Sequence, residues 1–286
     1  MQEATSKLQT RMDRNERYPS LGRCIYCGTP ATEATLTEEH IVPKAIGGRL
    51  VFEGASCGAC QAQTHAFEGH ALDLYRPIRR QLGFPESLTG RKLRERREKE
   101  KFILEVDGRR VKVPSSEFPA LMITIAFPPP AILTGGTAQD VPLAGPIHAV
   151  DLAPEFGERL NEIRRKFRAN KVGIVGVDKS ARTDEGDLGR MLAKIAHSYA
   201  VATAGEPFTP LLTHIVRGQN PYCLPYYIGC QITTDDRPRD LHEVSVIRGD
   251  LGAGGYLVVR VRLFATFNTP AYLVVAGVRP SPTARA

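Results

Sequence analysis

The chain has 286 residues, of which 42% are apolar and 24% are charged, as in soluble globular proteins. Its apolar stretches near residues 120–134 and 256–278 are interrupted by proline, glycine or charge, which excludes a membrane-spanning helix. The net charge of +7 and the sequence pI near 9.2 suit a polyanionic partner.

Residues 1–20 form a charged N-terminal tail. The segment from Met1 to Pro19 lacks the apolar centre of a signal peptide, so we expect a cytoplasmic protein. In that compartment thiols stay reduced, and cysteines are better interpreted as metal ligands than as disulfides.

Two Cys-x-x-Cys pairs, Cys24/Cys27 and Cys57/Cys60, lie in the next segment, residues 21–85. A Cys-x-x-Cys turn brings two sulfurs onto one ion, and zinc favours four thiolates in a tetrahedron. Four protein ligands close the site and leave no open position for catalysis. The segment therefore reads as a small module stabilised by structural zinc, because so short a chain cannot bury much core.

Residues 86–115 are predicted to be a basic linker followed by a β-hairpin. The charged run at 91–99 mixes both signs, which favours a solvated helix or linker, with a phosphate-binding arm as the alternative. Asp107-Gly108 between two alternating apolar segments is a strong hairpin signal.

Residues 116–280 are predicted to form a larger α/β domain, and 281–286 a short tail. Apolar residues recur at helical spacing in two segments, and continuously apolar or alternating segments predict strands. The predicted helices are 155–169 and 187–203, and the predicted strands are 171–177, 243–248, 256–266 and 271–278. The fold class is thus α+β. This domain carries no recognisable catalytic signature, and target or ligand recognition is its expected role.

Between the cysteine pairs stand Glu39-His40-Ile41-Val42-Pro43 and then Gly47-Gly48. In this order the motifs resemble the HNH endonuclease family, in its zinc-containing ββα-metal branch. The resemblance covers about a fifth of the chain. It implies that one strand carries His40, that a second strand runs near Leu50–Phe52, and that a helix starts at the second cysteine pair.

The resemblance also implies the roles of the site residues. His40 would be the general base that activates water, since a neutral imidazole titrates near working pH. Glu39, Gln61 and His65 would hold a catalytic divalent cation, Mg²⁺ or Mn²⁺, and His65 would complete the catalytic set with His40 and Glu39. The four cysteines would hold structural Zn²⁺. DNA is the expected substrate, with RNA as the alternative.

Gln61 departs from the family pattern, which commonly has Asn or His after the last cysteine. Glu68, one turn past His65, is a reserve ligand. A second hypothesis is therefore a catalytically weak or inactive zinc module that binds nucleic acid or a protein partner. A homodimer, which paired nicking would need, and a regulatory ligand or partner at the C-terminal domain are further expectations.

Overall fold

The structure is a computed structural model of the chain. It describes residues 15–84, 101–114, 121–138, 144–151, 156–177, 185–219, 223–231, 240–247 and 255–280. The charged run at 91–99 and the predicted tail at 281–286 lie outside these residues.

A three-stranded sheet and a helix form the N-terminal part. Strands β1 (Glu16–Tyr18), β2 (Leu36–His40) and β3 (Leu50–Cys57) lie in the order β1-β3-β2, and helix α1 (Gly58–Ala71) follows β3 directly. β2 is antiparallel to β3, whereas β1 runs parallel to it. The predicted strand–turn–strand–helix order is thus confirmed. β1 comes from the segment predicted to be a charged tail, residues 1–20, and it lengthens the sheet by one strand.

The turn between β2 and β3 needs both of its glycines. A short 3₁₀ helix, Lys44–Ile46, ends at Gly47, whose φ of 89° lies in the left-handed region that favours glycine. At Gly48 an added Cβ would lie 2.0 Å from the carbonyl oxygen of Val42. The chain therefore reverses so tightly here that only a residue without a side chain fits.

The predicted hairpin is confirmed as β4 (Lys101–Val106) and β5 (Arg109–Pro114). Its two turn residues, Asp107 and Gly108, have positive φ angles of 45° and 80°. Positive φ at both central positions is the conformation that a two-residue hairpin turn with Asp-Gly is expected to adopt.

β4 also pairs with β8 (Val172–Val177), giving a sheet in the order β5-β4-β8. Helix α3 (Phe156–Phe167) packs against this sheet through Ile163, and together they form a small separate core. Strands β6 (Leu121–Ile125) and β7 (Ile147–Asp151) form a two-stranded antiparallel sheet.

The largest sheet among the described residues lies in the C-terminal part of the chain. Its members are β9 (Thr209–Pro210), β10 (Ile228–Gln231), β11 (Glu243–Ile247), β12 (Tyr256–Arg262) and β13 (Ala271–Val278). The order is β10-β13-β12-β11, and β9 pairs with the end of β13. Near-continuous apolar runs in β12 and β13 agree with their burial on both faces.

The longest helix among the described residues, α4 (Glu185–Thr203), lies between this sheet and the N-terminal part. It contacts α1 as well as β12 and β13. Every residue from 191 to 198 is buried, although an amphipathic helix would keep one face in water. Three shorter α-helices are α2 (Arg76–Gln81), α5 (Thr213–Val216) and α6 (Leu224–Tyr227), and two further 3₁₀ helices are Ala131–Thr134 and Ala265–Phe267.

The main core is continuous across the chain. It joins side chains of the cysteine-rich segment, such as Ile41 and Phe67, to α4 and to the C-terminal sheet. The fold is α+β: a small ββα part with a cysteine cluster, followed by a larger mixed remainder. The division into domains stays a prediction. Within the described residues, no helix has the length and apolarity that a bilayer crossing requires.

Candidate HNH site

The four cysteines converge at one end of the ββα part. Cys24 and Cys27 lie in the turn before β2, Cys57 ends β3, and Cys60 lies in the first turn of α1. Their sulfur atoms all lie within 4.8 Å of one another, and Cys27 Sγ is 3.7 Å from Cys57 Sγ. A zinc ion with Zn–S bonds of about 2.3 Å separates its tetrahedral sulfurs by about 3.8 Å. The cluster is therefore compatible with a structural zinc ion.

Hydrogen-bond donors reach the sulfur atoms of Cys24 and Cys27, whereas burial and the neighbouring Cys24 raise the pKa of Cys60. Burial raises the pKa of the Cys24 thiol, but backbone N–H groups of Cys57, Cys27 and Tyr26 donate to its sulfur and oppose that rise. At Cys27, burial is outweighed by hydrogen bonds from Thr29 and from neighbouring thiols, which lower its pKa to about 6. Donors aimed at sulfur stabilise the thiolate form that zinc binds.

Strand β2 places Glu39 and His40 on opposite faces, because successive strand side chains alternate. His40 is half-buried at the end of the strand, and no described group hydrogen-bonds its buried Nδ1 atom. Burial, followed by the charges of Lys194 and Lys44, lowers the pKa of His40. The imidazole is thereby kept neutral over a wider pH range than an exposed histidine.

Glu39 points into the protein, where it is only 6% exposed. Lys194 Nζ from α4 lies 2.5 Å from one of its carboxylate oxygens and 2.9 Å from a carboxylate oxygen of Glu68 on α1. The same ammonium donates to the carbonyl oxygen of His40 and lies 3.5 Å from that of Ile41. Burial alone would lower the pKa of Lys194, but the two carboxylates outweigh it and raise that pKa.

The other predicted ligands, Gln61 and His65, lie on helix α1. Gln61 is half-buried and His65 is exposed, whereas Glu68, the reserve ligand, is buried beside Lys194. Within the described residues, the four cysteines are the only group of three or more His, Cys, Asp or Glu side chains with converging ligand atoms. Glu39, as it stands, does not fit the role of a divalent-cation ligand, because an ammonium already neutralises it.

Residues 24–73 match the family model described as HNH endonuclease. We call these matching residues, 24–73, the HNH module. Neither the curated proteins nor the solved structures contain a match to the chain. The match covers the cysteine cluster, β2, β3 and α1, and it ends before the hairpin of β4 and β5.

The HNH module is docked on α4 through three polar side chains at positions i, i+3 and i+4, namely Lys194, His197 and Ser198. Besides the Lys194 contacts, His197 Nε2 lies 2.8 Å from the carbonyl oxygen of Ile25, and Ser198 Oγ lies 3.0 Å from the hydroxyl of Tyr26. We call these three residues the polar stripe of α4. All of their bonds named here reach the HNH module, so the stripe is an interface and not a solvent-exposed face.

Sequence reasoning missed Lys194, although the sequence contains a signal for it. Leu192, Ile195 and Ala196 flank it in the most apolar stretch of a helix. A lysine at such a position is rarely buried unless it is paired. The pattern therefore indicates carboxylate partners, but it gives no means of locating them in the chain.

A cavity of about 500 Å³ lies beside the module, between the Gly47-Gly48 turn and β11. Charged side chains from both parts line it, including Arg49 and Glu243. His242, at the border of the cavity, donates from Nε2 to the carbonyl oxygen of Ile46 and accepts at Nδ1 from the backbone N–H of Phe264. The ring thus ties the turn of the HNH module to the C-terminal part.

Proposed function

We propose that the chain is an endonuclease that hydrolyses phosphodiester bonds, with DNA as its substrate and His40 as its general base. The match of residues 24–73 to the HNH endonuclease family supports the reaction class. The net charge of +7 supports a polyanionic substrate. The observation that carries the proposal is a half-buried His40, at the family's position for the base, with its pKa lowered.

The lowered pKa suits His40 to the role of base. A general base must be unprotonated to accept a proton from water, and burial together with the nearby lysine charges disfavours the imidazolium form. The four cysteines would hold zinc, which supplies a scaffold and takes no part in the chemistry. No step is assigned to a cation on Glu39, Gln61 and His65, and dependence on Mg²⁺ or Mn²⁺ stays a prediction from the sequence.

Nicking of supercoiled plasmid tests the proposal. Zinc-loaded wild-type protein should nick DNA, and His40→Ala should reduce the rate at least about a hundredfold, the usual minimum for a lost general base. His70→Ala is the matched control, because His70 lies exposed on α1 and pairs with Asp187. Parallel reactions with Mg²⁺, with Mn²⁺ and with EDTA would report the cation requirement. Equal nicking by wild type and His40→Ala would remove His40 from the mechanism.

The pH profile of nicking gives a second readout of the same role. Because the pKa of His40 is lowered from 6.5, the neutral base persists below that pH. As the pH is lowered, the nicking rate should therefore drop to half its maximum only at a pH below 6.5. A half-maximal rate already reached above pH 6.5 would contradict the assignment of His40.

The pairing of Glu39 with Lys194 favours a second candidate function. In this case the HNH module is a catalytically inactive zinc module that binds nucleic acid or a protein partner. DNA binding measured by electrophoretic mobility, without nicking under any of the three metal conditions, would select this candidate. A cytoplasmic location, a homodimer and a regulatory ligand at the C-terminal part remain predictions, and the cavity beside His242 is the place to look for that ligand.

A further inference from the structure

The Glu39–Lys194–Glu68 cluster has the donor set of a cation site. Two carboxylates and the backbone carbonyl oxygens of His40 and Ile41 surround one positive charge. Carboxylate and carbonyl oxygens are the ligands that hard divalent cations take in proteins. Here the centre of the set is an ammonium group supplied by the chain itself.

The ammonium cannot leave this position by a side-chain rotation into water. Lys194 is 1% exposed and lies in the middle of the buried run 191–198 of α4. His197 and Ser198, on the same helix face, are bonded to Ile25 and Tyr26 of the HNH module. Withdrawal of Lys194 would therefore require α4 to separate from the module along the whole polar stripe.

A divalent cation would be unfavourable beside this ammonium. Two like charges within a few ångströms repel strongly in a buried site, where water screens them poorly. Glu39 and Glu68 have between them two negative charges, and Lys194 neutralises one of these while hydrogen-bonding to both carboxylates. The remaining charge is too small to hold a dication together with the ammonium.

We propose that Lys194 is the built-in cation of the HNH module and occupies the place of a divalent ion between Glu39 and Glu68. The packing of the polar stripe of α4 against the module keeps this ammonium in the cluster. The inference concerns the residues of the proposed active site, but it rests on their packing and does not require DNA cleavage. The positive charge between Glu39 and Glu68 would thus come from the chain itself, whereas a metal-dependent module binds a cation from solution.

Binding of Mn²⁺ to the zinc-loaded full-length protein tests the inference. Electron paramagnetic resonance should detect no saturable Mn²⁺ site dependent on Glu68 in the wild type. Lys194→Ala should gain a site at least about tenfold tighter than any wild-type binding, because it frees two carboxylates and two carbonyls. Adding Glu68→Gln to Lys194→Ala should abolish the gain.

Lys194→Arg is the matched control, since it retains the positive charge and should gain no Mn²⁺ site. Saturable Mn²⁺ binding by the wild type that is lost in Glu68→Gln would overturn the inference, and so would a folded Lys194→Ala that gains no site. Because wild type and Glu68→Gln decide the first of these outcomes, the test stands even if Lys194→Ala does not fold. Loss of nicking in His40→Ala, or its absence in the wild type, would change none of these results.

Discussion

The two ends of the HNH module are stabilised in different ways. At one end four cysteine sulfurs, all from residues 24–60, lie within 4.8 Å of one another. At the other end the ammonium of Lys194, which is 154 residues beyond His40 in the chain, pairs with the carboxylates of both Glu39 and Glu68. The first end is assembled from the module alone, whereas the second is complete only when α4 is packed against it.

This difference shows that a side chain of a local motif can be paired with a residue from a distant part of the chain. The family match describes residues 24–73, a range that includes Glu39 and His40. The partner of Glu39 lies outside the range, on a helix that also packs against the C-terminal sheet. The state of the site thus depends on the whole fold and not on the motif alone.

The largest expected effect is at the cysteine end. Cys57→Ser removes one of four zinc ligands, and zinc content measured on the purified protein should fall well below about one ion per chain. Structural zinc sites contribute of the order of 10 kcal/mol to the fold that binds the ion, so the HNH module should unfold. Cys223→Ser is the control, because Cys223 is a buried thiol outside the cluster. Full zinc content in Cys57→Ser would exclude a four-thiolate site.

A smaller but substantial loss is expected at the lysine end. Lys194→Met leaves Glu39 and Glu68 buried without a cation, and removing one partner of a buried ion pair costs about 3–5 kcal/mol. Urea denaturation should measure this as a lowered free energy of unfolding. The triple variant Glu39→Gln, Lys194→Met, Glu68→Gln removes all three charges and should recover most of the loss. A triple variant as unstable as Lys194→Met would show that the packing volume matters more than charge.

The smallest expected effect concerns His242, which links the HNH module to the C-terminal part through its hydrogen bonds to Ile46 and Phe264. Burial lowers the pKa of His242 from 6.5 to about 4, and both ring nitrogens are already hydrogen-bonded in the neutral form. The unfolded chain therefore takes up a proton more readily than the folded one below pH 6.5. The free energy of unfolding that the neutral ring contributes should be fully present above pH 6.5 and be lost as the pH falls toward 4. The expected loss is about 1–3 kcal/mol, less than the full pKa shift would give, because the ring borders a cavity where water can screen its charge.

Denaturation curves between pH 8 and pH 4 measure this loss. His242→Gln should flatten the pH dependence, while its stability at pH 8 drops through the loss of one backbone hydrogen bond, at about 1 kcal/mol. A pH dependence as steep as that of the wild type would assign the acid loss to another group. His197, which is buried on α4 with its pKa also lowered, would be the next residue to replace.

Much of the fold could be predicted because its signals are local. The turn at Asp107-Gly108 is predicted from these two residues alone, because both readily adopt the positive φ angles that the turn requires. The helix at 187–203 is predicted from apolar residues at helical spacing. In the same way, Gly47 and Gly48 mark the turn of the HNH module by their lack of a side chain. The predicted element types at these places are confirmed.

The remaining features depend on packing between distant segments. Strand β1 was predicted as part of a charged tail, because Glu16 and Arg17 give no apolar pattern. It forms because the exposed edge of β3 offers unpaired backbone groups at Leu50–Phe52. The motif predicts that Glu39 holds a divalent cation, and the structure places the Lys194 ammonium against its carboxylate, because a motif does not reveal which groups pack opposite it.

The sequence by itself determined the pattern of four cysteines, the ββα order and the family match of residues 24–73, because each depends on spacing within about fifty residues. Only the tertiary structure decided that Lys194 pairs with Glu39 and Glu68, and that α4 joins the module to the C-terminal sheet. The physical reason is that a buried carboxylate must find a positive charge, and the folded chain can supply it from any position in its length.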